Sequence, residues 1–252
     1  TFEMLSHGDT MGVFQLSGSG MTRYLKELKP SSIHDIMAMV ALFRPGPMES
    51  IPEYIRRKHK PKFISYLDPR LQEILERTYG ILVYQDDVLM IAIKLAGYSW
   101  EEADKLRKAM GKKIPREMMA QREKFLLGCV KGGMTRAKAE ELWALIEPFA
   151  AYGFNKSHAA SYGMVAYQTA YMKANFPSEY LTAILTAESG NTDKMVEVIA
   201  GSREMGITVL PPDVNESLKS FTYVDDKTIR FGLLAIKNLG SDVVVAIIEE
   251  RQ

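Results

Sequence analysis

The sequence predicts a mainly α-helical protein in which many helices are followed by a small mixed α/β segment. Three observations carry this. Apolar residues recur at i, i+3, i+4 and i+7 along stretches free of proline. Proline and glycine fall between those stretches rather than inside them. Alternation with a period of two appears only beyond residue 206, at 221–224 and 228–231. At 252 residues and 46% hydrophobic, the chain has apolar surface enough for one large core or two smaller ones.

Taken in order, glycines at 8, 12, 18 and 20 bracket the short apolar run Val13-Phe14-Gln15-Leu16. Ser17-Gly18-Ser19-Gly20 then makes a loop before a helix that reaches about Leu28 and is stopped by Pro30. Such a loop can cradle a phosphate with backbone amides, but it has neither the P-loop spacing nor the dinucleotide fingerprint. Ser31-Ser32 caps a helix over 33–43, which ends in FRPGP. There Pro45 forces Arg44 out of helical geometry and Gly46-Pro47 sets the turn. Arg44 is thus held on a stiff corner, where it either grips a ligand oxygen at low entropic cost or caps the last carbonyls of its helix.

Further helices are expected over 69–77, 86–96, 100–110, 115–131, 135–147, 157–175, 178–188 and 192–205. Residues 81–84 read as a strand or a buried helix start, and 207–210 as a short strand. The alternating pair 221–224 and 228–231, joined at Asp225-Asp226-Lys227, reads as a hairpin. Pro211-Pro212 marks a boundary, dividing the chain into a domain over 1–206 and the start of another over 207–252.

The most constrained stretch is FAAYGFNKSHAASYGMVAYQTAYMKANFP, residues 149–177. Ala159, Gly163, Ala166, Ala170 and Ala174 line one helical face with small side chains, so another backbone can approach closely. At its start Asn155 is a good cap, followed by Lys156, Ser157 and His158. Cations at the positive end of a helix dipole are locally unfavourable by a few tenths of a kcal/mol. Free N–H groups, a lysine, a hydroxyl and a histidine on one helix start make a site for an anion, a phosphate above all. The competing possibility is a surface lysine beside a core histidine.

Charge is distributed unevenly. The net charge is +1, but residues 51–124 hold 16 Lys and Arg against 11 Asp and Glu, whereas residues 189–252 hold 7 against 10. Arg56, Arg57, Lys58, Lys60 and Lys62 surround His59 with no interleaved aromatic residue, a run that suits backbone contact to nucleic acid or a solvated face. From Lys105 to Arg116 there are six basic residues and no acid. That run reads as a phosphate-binding ridge carried by Arg107, Lys108, Lys112 and Lys113, although cations also suit a helix C-terminus. Asp86-Asp87 opens a helix, where acids suit the dipole better than they argue for metal.

One cysteine, Cys129, excludes a disulfide framework and fits a reducing cytoplasm. The longest apolar run, Ile36 to Phe43, is eight residues, against about 20 needed to span a bilayer. No membrane partner is expected.

GVFQLSGSGM, ALFRPGPM, TYGILVYQDDV, LRKAMGKK, YGFNKSHAASYGMVAYQTAYMKANFP and LPPDVN occur in the order and spacing of the catalytic alpha subunit of bacterial replicative DNA polymerase III. The chain resembles the fingers region of these C-family polymerases, with 1–20 at the junction to the palm. The resemblance implies that Arg44, Arg107, Lys108, Lys112, Lys113, Lys156 and His158, beside Asn155 and Ser157, meet the triphosphate of an incoming dNTP. It also implies template-primer DNA as a partner, the rest of the subunit, and a sliding clamp and other replisome proteins through regions elsewhere. The Mg2+ ions would be held by palm aspartates outside this chain, so the chain alone would be inactive. Ser17-Gly18 and Asp86-Asp87 depart from the family's usual Glu-Ser and Glu-Gln. LLAIKNLGSDVVVAIIEER resembles the first half of a helix-hairpin-helix module, implying phosphate contact by Lys237 and Gly240. A non-enzymatic DNA-binding module using ridge and hairpin is the alternative function.

Overall fold

The computed structural model describes residues 1–112, 115–149 and 153–251. Among them are thirteen α-helices: α1 (Phe2–His7), α2 (Ser19–Leu28), α3 (Ile33–Leu42), α4 (Ile51–His59), α5 (Leu71–Leu75), α6 (Gln85–Ala96), α7 (Trp100–Lys112), α8 (Pro115–Lys131), α9 (Arg136–Phe149), α10 (Lys156–Asn175), α11 (Pro177–Ala187), α12 (Thr192–Glu204) and α13 (Ser241–Glu250). Three strands follow α12: β1 (Thr208–Leu210), β2 (Thr222–Asp225) and β3 (Thr228–Arg230). The mainly α class and the mixed C-terminal segment are as expected. Helices α1 and α4 escaped the sequence reading, and 81–84 is no strand, contributing only one bridging residue, Tyr84.

The chain forms two compact units, Tyr24–Val165 and Thr1–Arg23 with Ala166–Gln252. In Tyr24–Val165, helices α5 to α9 enclose a core that includes Leu75, Ile91, Leu106, Phe125, Leu142, Trp143 and Ile146. Phe125 and Trp143 meet with ring centroids 5.4 Å apart. Gly128 lets α8 press against the end of α6, because a Cβ there would sit 2.1 Å from the Ala96 carbonyl oxygen. Gly163 serves α10 similarly against Met37, and Ala159 is fully buried.

A second, polar centre lies at the start of α3. Asp35 is fully buried. Its Oδ2 accepts the Ser31 and Ser32 N–H groups (2.9 and 3.2 Å) and the Lys58 ammonium (2.6 Å). Its Oδ1 accepts the hydroxyls of Tyr54 (3.2 Å) and Tyr79 (3.1 Å). Burial pushes the Asp35 pKa up, but the hydrogen bond from Lys58, the Ser31 N–H, the Lys58 charge and Tyr79 together hold it below its ordinary value. Lys58 also donates to the Lys29 carbonyl (2.9 Å) and the Ser31 hydroxyl (3.0 Å), so all three ammonium hydrogens are used.

At the start of α6, Asp87 is buried and accepts the N–H groups of Val83 (3.3 Å) and Tyr84 (3.0 Å). Burial dominates there and pushes its pKa up to about 6, against those backbone bonds and the charge of Lys156.

In the other unit, Leu181, Leu185, Met195, Val198, Ile207, Phe221 and Ile229 form the core. The sheet order is β1-β3-β2. The expected hairpin is present as the antiparallel β2–β3 pair, with an irregularity between Tyr223 and Asp225. Strand β1 pairs in parallel with β3, Val209 opposite Ile229. Ala166 and Ala170 are fully buried, while Ala174 is half-buried. Lys173, 2% exposed, donates to the carbonyls of Asp9 (3.0 Å) and Met11 (2.8 Å).

Two outcomes follow. Lys58→Met leaves Asp35 buried without its cation and is expected to lower the denaturant-derived stability of Tyr24–Val165 by about 3–5 kcal/mol at pH 7. The deficit shrinks towards pH 4, because a neutral Asp35 no longer needs the ammonium; a loss below about 1 kcal/mol would make Lys58 an ordinary surface charge. For Asp87, a raised folded pKa means stability that is present below pH 4 and lost as pH rises through about 6. Asp87→Asn keeps an oxygen for Val83 and Tyr84, so its stability relative to the parent should rise by on the order of 2 kcal/mol between pH 4 and pH 8. A difference flat with pH, measured by thermal melting, would contradict it.

Candidate functional site

Two helix starts are joined within Tyr24–Val165. Tyr84 and Phe154 form an isolated parallel bridge, and the Gln85 N–H donates to the Phe154 carbonyl at 2.9 Å. Beyond the bridge, Asp86 Oδ2 accepts the Lys156 N–H at 2.9 Å. The beginning of α6 is thereby tied to the beginning of α10.

Asn155 caps α10 as its sequence implies: Asn155 Oδ1 accepts the His158 N–H at 3.0 Å and the Ser157 hydroxyl at 2.6 Å. One expectation is corrected here. The N–H groups of Lys156 and His158 are not open to a ligand, since Asp86 and Asn155 already accept them. The Asn155 and Ser157 side chains are engaged in the cap.

The longer side chains lie against aromatic rings. Arg44 Nε donates to the Ala41 carbonyl at 2.8 Å, which realises the capping alternative for this residue. Its guanidinium also lies over the Phe154 ring, 4.4 Å from the centroid, a contact worth about 0.5–2 kcal/mol. Phe154 meets His158 at 5.2 Å, and His158 meets Tyr162 at 4.1 Å. Arg44, Phe154, His158 and Tyr162 therefore form one continuous chain of contacts, with the rings tilted to one another. Lys156 Nζ stands 5.4 Å over the Tyr84 ring, and burial raises the Tyr84 pKa, keeping that phenol neutral. His34 shares this field: burial first, then the charges of Arg77 and Lys156, lower its pKa against the pull of Asp35. His34 and Arg77 were missed from sequence, since neither stands in a basic run or at a cap.

The remaining sequence candidates divide. Arg107 and Lys108 both bind Asp104, at 2.6 and 2.7 Å, and Lys105 binds Glu101 at 2.8 Å. Three of the six basic residues of this run are therefore paired with acids from the preceding turn of α7, which the expectation of a ridge without compensation had not foreseen. The Lys112 side chain and Lys113 lie outside the described residues. Arg56 binds Glu53 at 2.7 Å and covers the ring of Phe63, which directly follows this run, at 4.1 Å. Arg57 is held by Glu53 and by the carbonyls of Tyr79 and Gly80, and Lys58 by Asp35. Lys58 is committed to the fold and is corrected out of the backbone-contact set. Lys60 and Lys62 are exposed, as are Lys237 and Gly240, with Asn238 at φ 67° beside them and Gly240 capping α13.

The acidic pairs are engaged in hydrogen bonds within the chain. Asp86 and Asp87 accept backbone N–H groups; Asp225 accepts the Lys227 N–H at 2.9 Å and Asp226 the Tyr223 hydroxyl at 2.9 Å. Among the described residues no group of three or more His, Cys, Asp or Glu is placed to hold an ion. No described helix is long and apolar enough to cross a membrane.

Comparison with known proteins bears on this geometry. Residues 1–133 match the family model for the bacterial DNA polymerase III alpha subunit finger domain, and residues 206–252 match that for a helix-hairpin-helix motif. DNA polymerase III subunit alpha of Thermus aquaticus is 50% identical over 257 residues, covering 100% of this chain and 21% of the relative. The subunit of Xylella fastidiosa (strain 9a5c) is 47% identical over 249 residues, covering 99% and 21%. That of Deinococcus radiodurans is 46% identical over 259 residues, covering 100% and 19%. The chain spans about a fifth of the length of these curated relatives. With the motifs in order and the family model matched over more than half its length, the chain belongs to the bacterial DNA polymerase III alpha subunit finger domain family.

Proposed function

We propose that this chain is the fingers part of a replicative DNA-directed DNA polymerase, a nucleotidyltransferase, and that Arg44, Lys156 and His158 bind the triphosphate of the incoming dNTP. The observation that carries the proposal is the chain of contacts at the start of α10, in which Phe154 touches Arg44 and His158 while Lys156 of the same turn lies over Tyr84. Arg44 and His158 flank Phe154, and Lys156 projects from the same helix start over Tyr84; cationic or protonatable groups set this way suit a polyphosphate better than a neutral ligand. In phosphoryl transfer, negative charge spreads over oxygens in the transition state, and cations already in place lower its energy without reorganisation.

Arg107 and Lys108 join the same role. Their pairs with Asp104 are exposed, and such pairs are worth about 0–1 kcal/mol, so a polyphosphate can exchange for the carboxylate. Lys112 and Lys113 extend the set by family resemblance. Template-primer DNA is met through Arg56, Lys60, Lys62 and the hairpin at Lys237 and Gly240, contacts to the backbone that carry no sequence information. Carboxylates outside this chain hold the Mg2+, and the chain alone does not polymerise. The remainder of the subunit, a sliding clamp and other replisome proteins are its partners, in the cytoplasm. The fingers occupy 1–206 and the next domain begins at 207.

Lys156→Ala in the full-length polymerase should raise the apparent KM for dNTP by roughly tenfold or more, the scale of one charge-assisted hydrogen bond, with thermal stability little changed. In parallel, dNTP should shield Lys156 of the parent from amine modification. An unaltered KM with no shielding would remove Lys156 from the site and favour a DNA-binding module that does not handle nucleotides.

A further inference from the structure

Among the described residues, four that are not glycine have positive φ: Gln15 (60°), Lys29 (48°), Tyr79 (56°) and Asn238 (67°). Three have a visible use for it. Tyr79 brings its hydroxyl to Asp35, Lys29 ends α2 with its carbonyl turned to Lys58, and asparagine is a residue type that tolerates left-handed backbone. Gln15 has no such use. It is exposed, and among the described residues its carboxamide has no hydrogen-bond partner.

The turn that carries Gln15 is firmly built. The Leu16 N–H donates to the Val13 carbonyl at 3.2 Å, so Gln15 occupies the third position of a β-turn, where positive φ favours glycine or asparagine. Val13 and Leu16 are buried on either side. The Phe14 N–H donates to Thr169 Oγ1 at 3.1 Å, and the Tyr180 hydroxyl donates to the Gly12 carbonyl at 2.8 Å. Lys173 grips the carbonyls of Asp9 and Met11 from beneath. Glycine would hold this turn at lower backbone cost, so what glutamine adds is a carboxamide projected from a fixed platform.

We propose that Gln15 is a nucleic-acid contact whose carboxamide N–H donates to the minor-groove edge of template-primer DNA. This rests on the polymerase assignment above. An enzyme that copies every sequence needs a contact offered by every base pair, and the minor groove supplies one, since purine N3 and pyrimidine O2 are acceptors there whatever the pair. An uncharged amide reads that edge without adding to the salt-dependent attraction of phosphates.

The test uses the full-length polymerase and primer-templates in which purines near the primer terminus are replaced singly by 3-deaza analogues, which lack the N3 acceptor. At one position the parent should lose roughly tenfold in kcat/KM for extension, the size of one uncharged hydrogen bond. Gln15→Gly should show a similar loss on natural DNA and no further loss with that analogue. Its melting temperature should be unchanged or higher, because glycine relieves the left-handed backbone, and this separates lost contact from misfolding. Extension by Gln15→Gly equal to the parent overturns the proposal. So do additive losses at every analogue position, which would assign Gln15 to a protein neighbour. If the parent itself extends no primer, the polymerase assignment fails and this contact falls with it.

Discussion

The unit Tyr24–Val165 depends on one buried charge. Asp35 draws the Ser31-Ser32 turn, Lys58 of α4 and the two tyrosine hydroxyls of Tyr54 and Tyr79 onto its two oxygens. A carboxylate removed from water is costly unless both oxygens are fully satisfied, and here five strong donors satisfy them. The consequence reaches the candidate site by two routes. Asp35 fixes the start of α3, and the other end of that helix delivers Arg44. It also fixes Tyr79, whose turn leads into Tyr84, Asp86 and α6. The tyrosine pair, 5.0 Å apart and edge to face, stiffens the second route.

The beginning of α10 presents a local contradiction that only tertiary structure resolves. A lysine and a histidine in the first turn oppose the helix dipole. Asp86, brought from α6, places a carboxylate on the Lys156 N–H, supplying the negative group this helix end lacks in its own sequence. Asp87 beside it is held partly by the charge of Lys156, though burial still raises its pKa. The two helix starts therefore stabilise each other, and Phe154 between them gains Arg44 on one side and His158 on the other.

Helices were legible because they are written locally. Pro30 and Pro45 stop helices where propensity says they must, and Asn155 caps the helix that follows it. What escaped the sequence is what depends on distant residues. Lys58 looks like part of a solvated basic run, yet a partner 23 positions earlier buries it. Lys173 sits among polar and aromatic residues of α10 and reveals nothing of the carbonyls at Asp9 and Met11, which only folding brings to it. Helix α4 was hidden by its own charge, since four basic residues in its last turn suit the dipole but resemble a tail. The parallel pairing of β1 with β3 has no local signal, because three residues carry no periodicity. The candidate site was half legible: Lys156 and His158 follow from the cap, Arg44 from its prolines, and Phe154, Tyr84, His34 and Arg77 from nothing but proximity.

On the proposed function, that division lets the start of α10 serve both folding and binding. Asp86 accepts the backbone N–H of Lys156 and not its ammonium, which stands over Tyr84 and forms no ion pair with a described carboxylate. Asn155 likewise satisfies the His158 N–H while the imidazole lies between Phe154 and Tyr162. The backbone of this turn is thus closed by acceptors from Asp86 and Asn155, and the Lys156 and His158 side chains lie against aromatic rings, a softer hold than a salt bridge. On the proposed function, a polyphosphate would engage those side chains without breaking the cap, so binding would not unravel the helix that positions it. Had the carboxylate paired with the lysine side chain instead, ligand and fold would compete for the same charge.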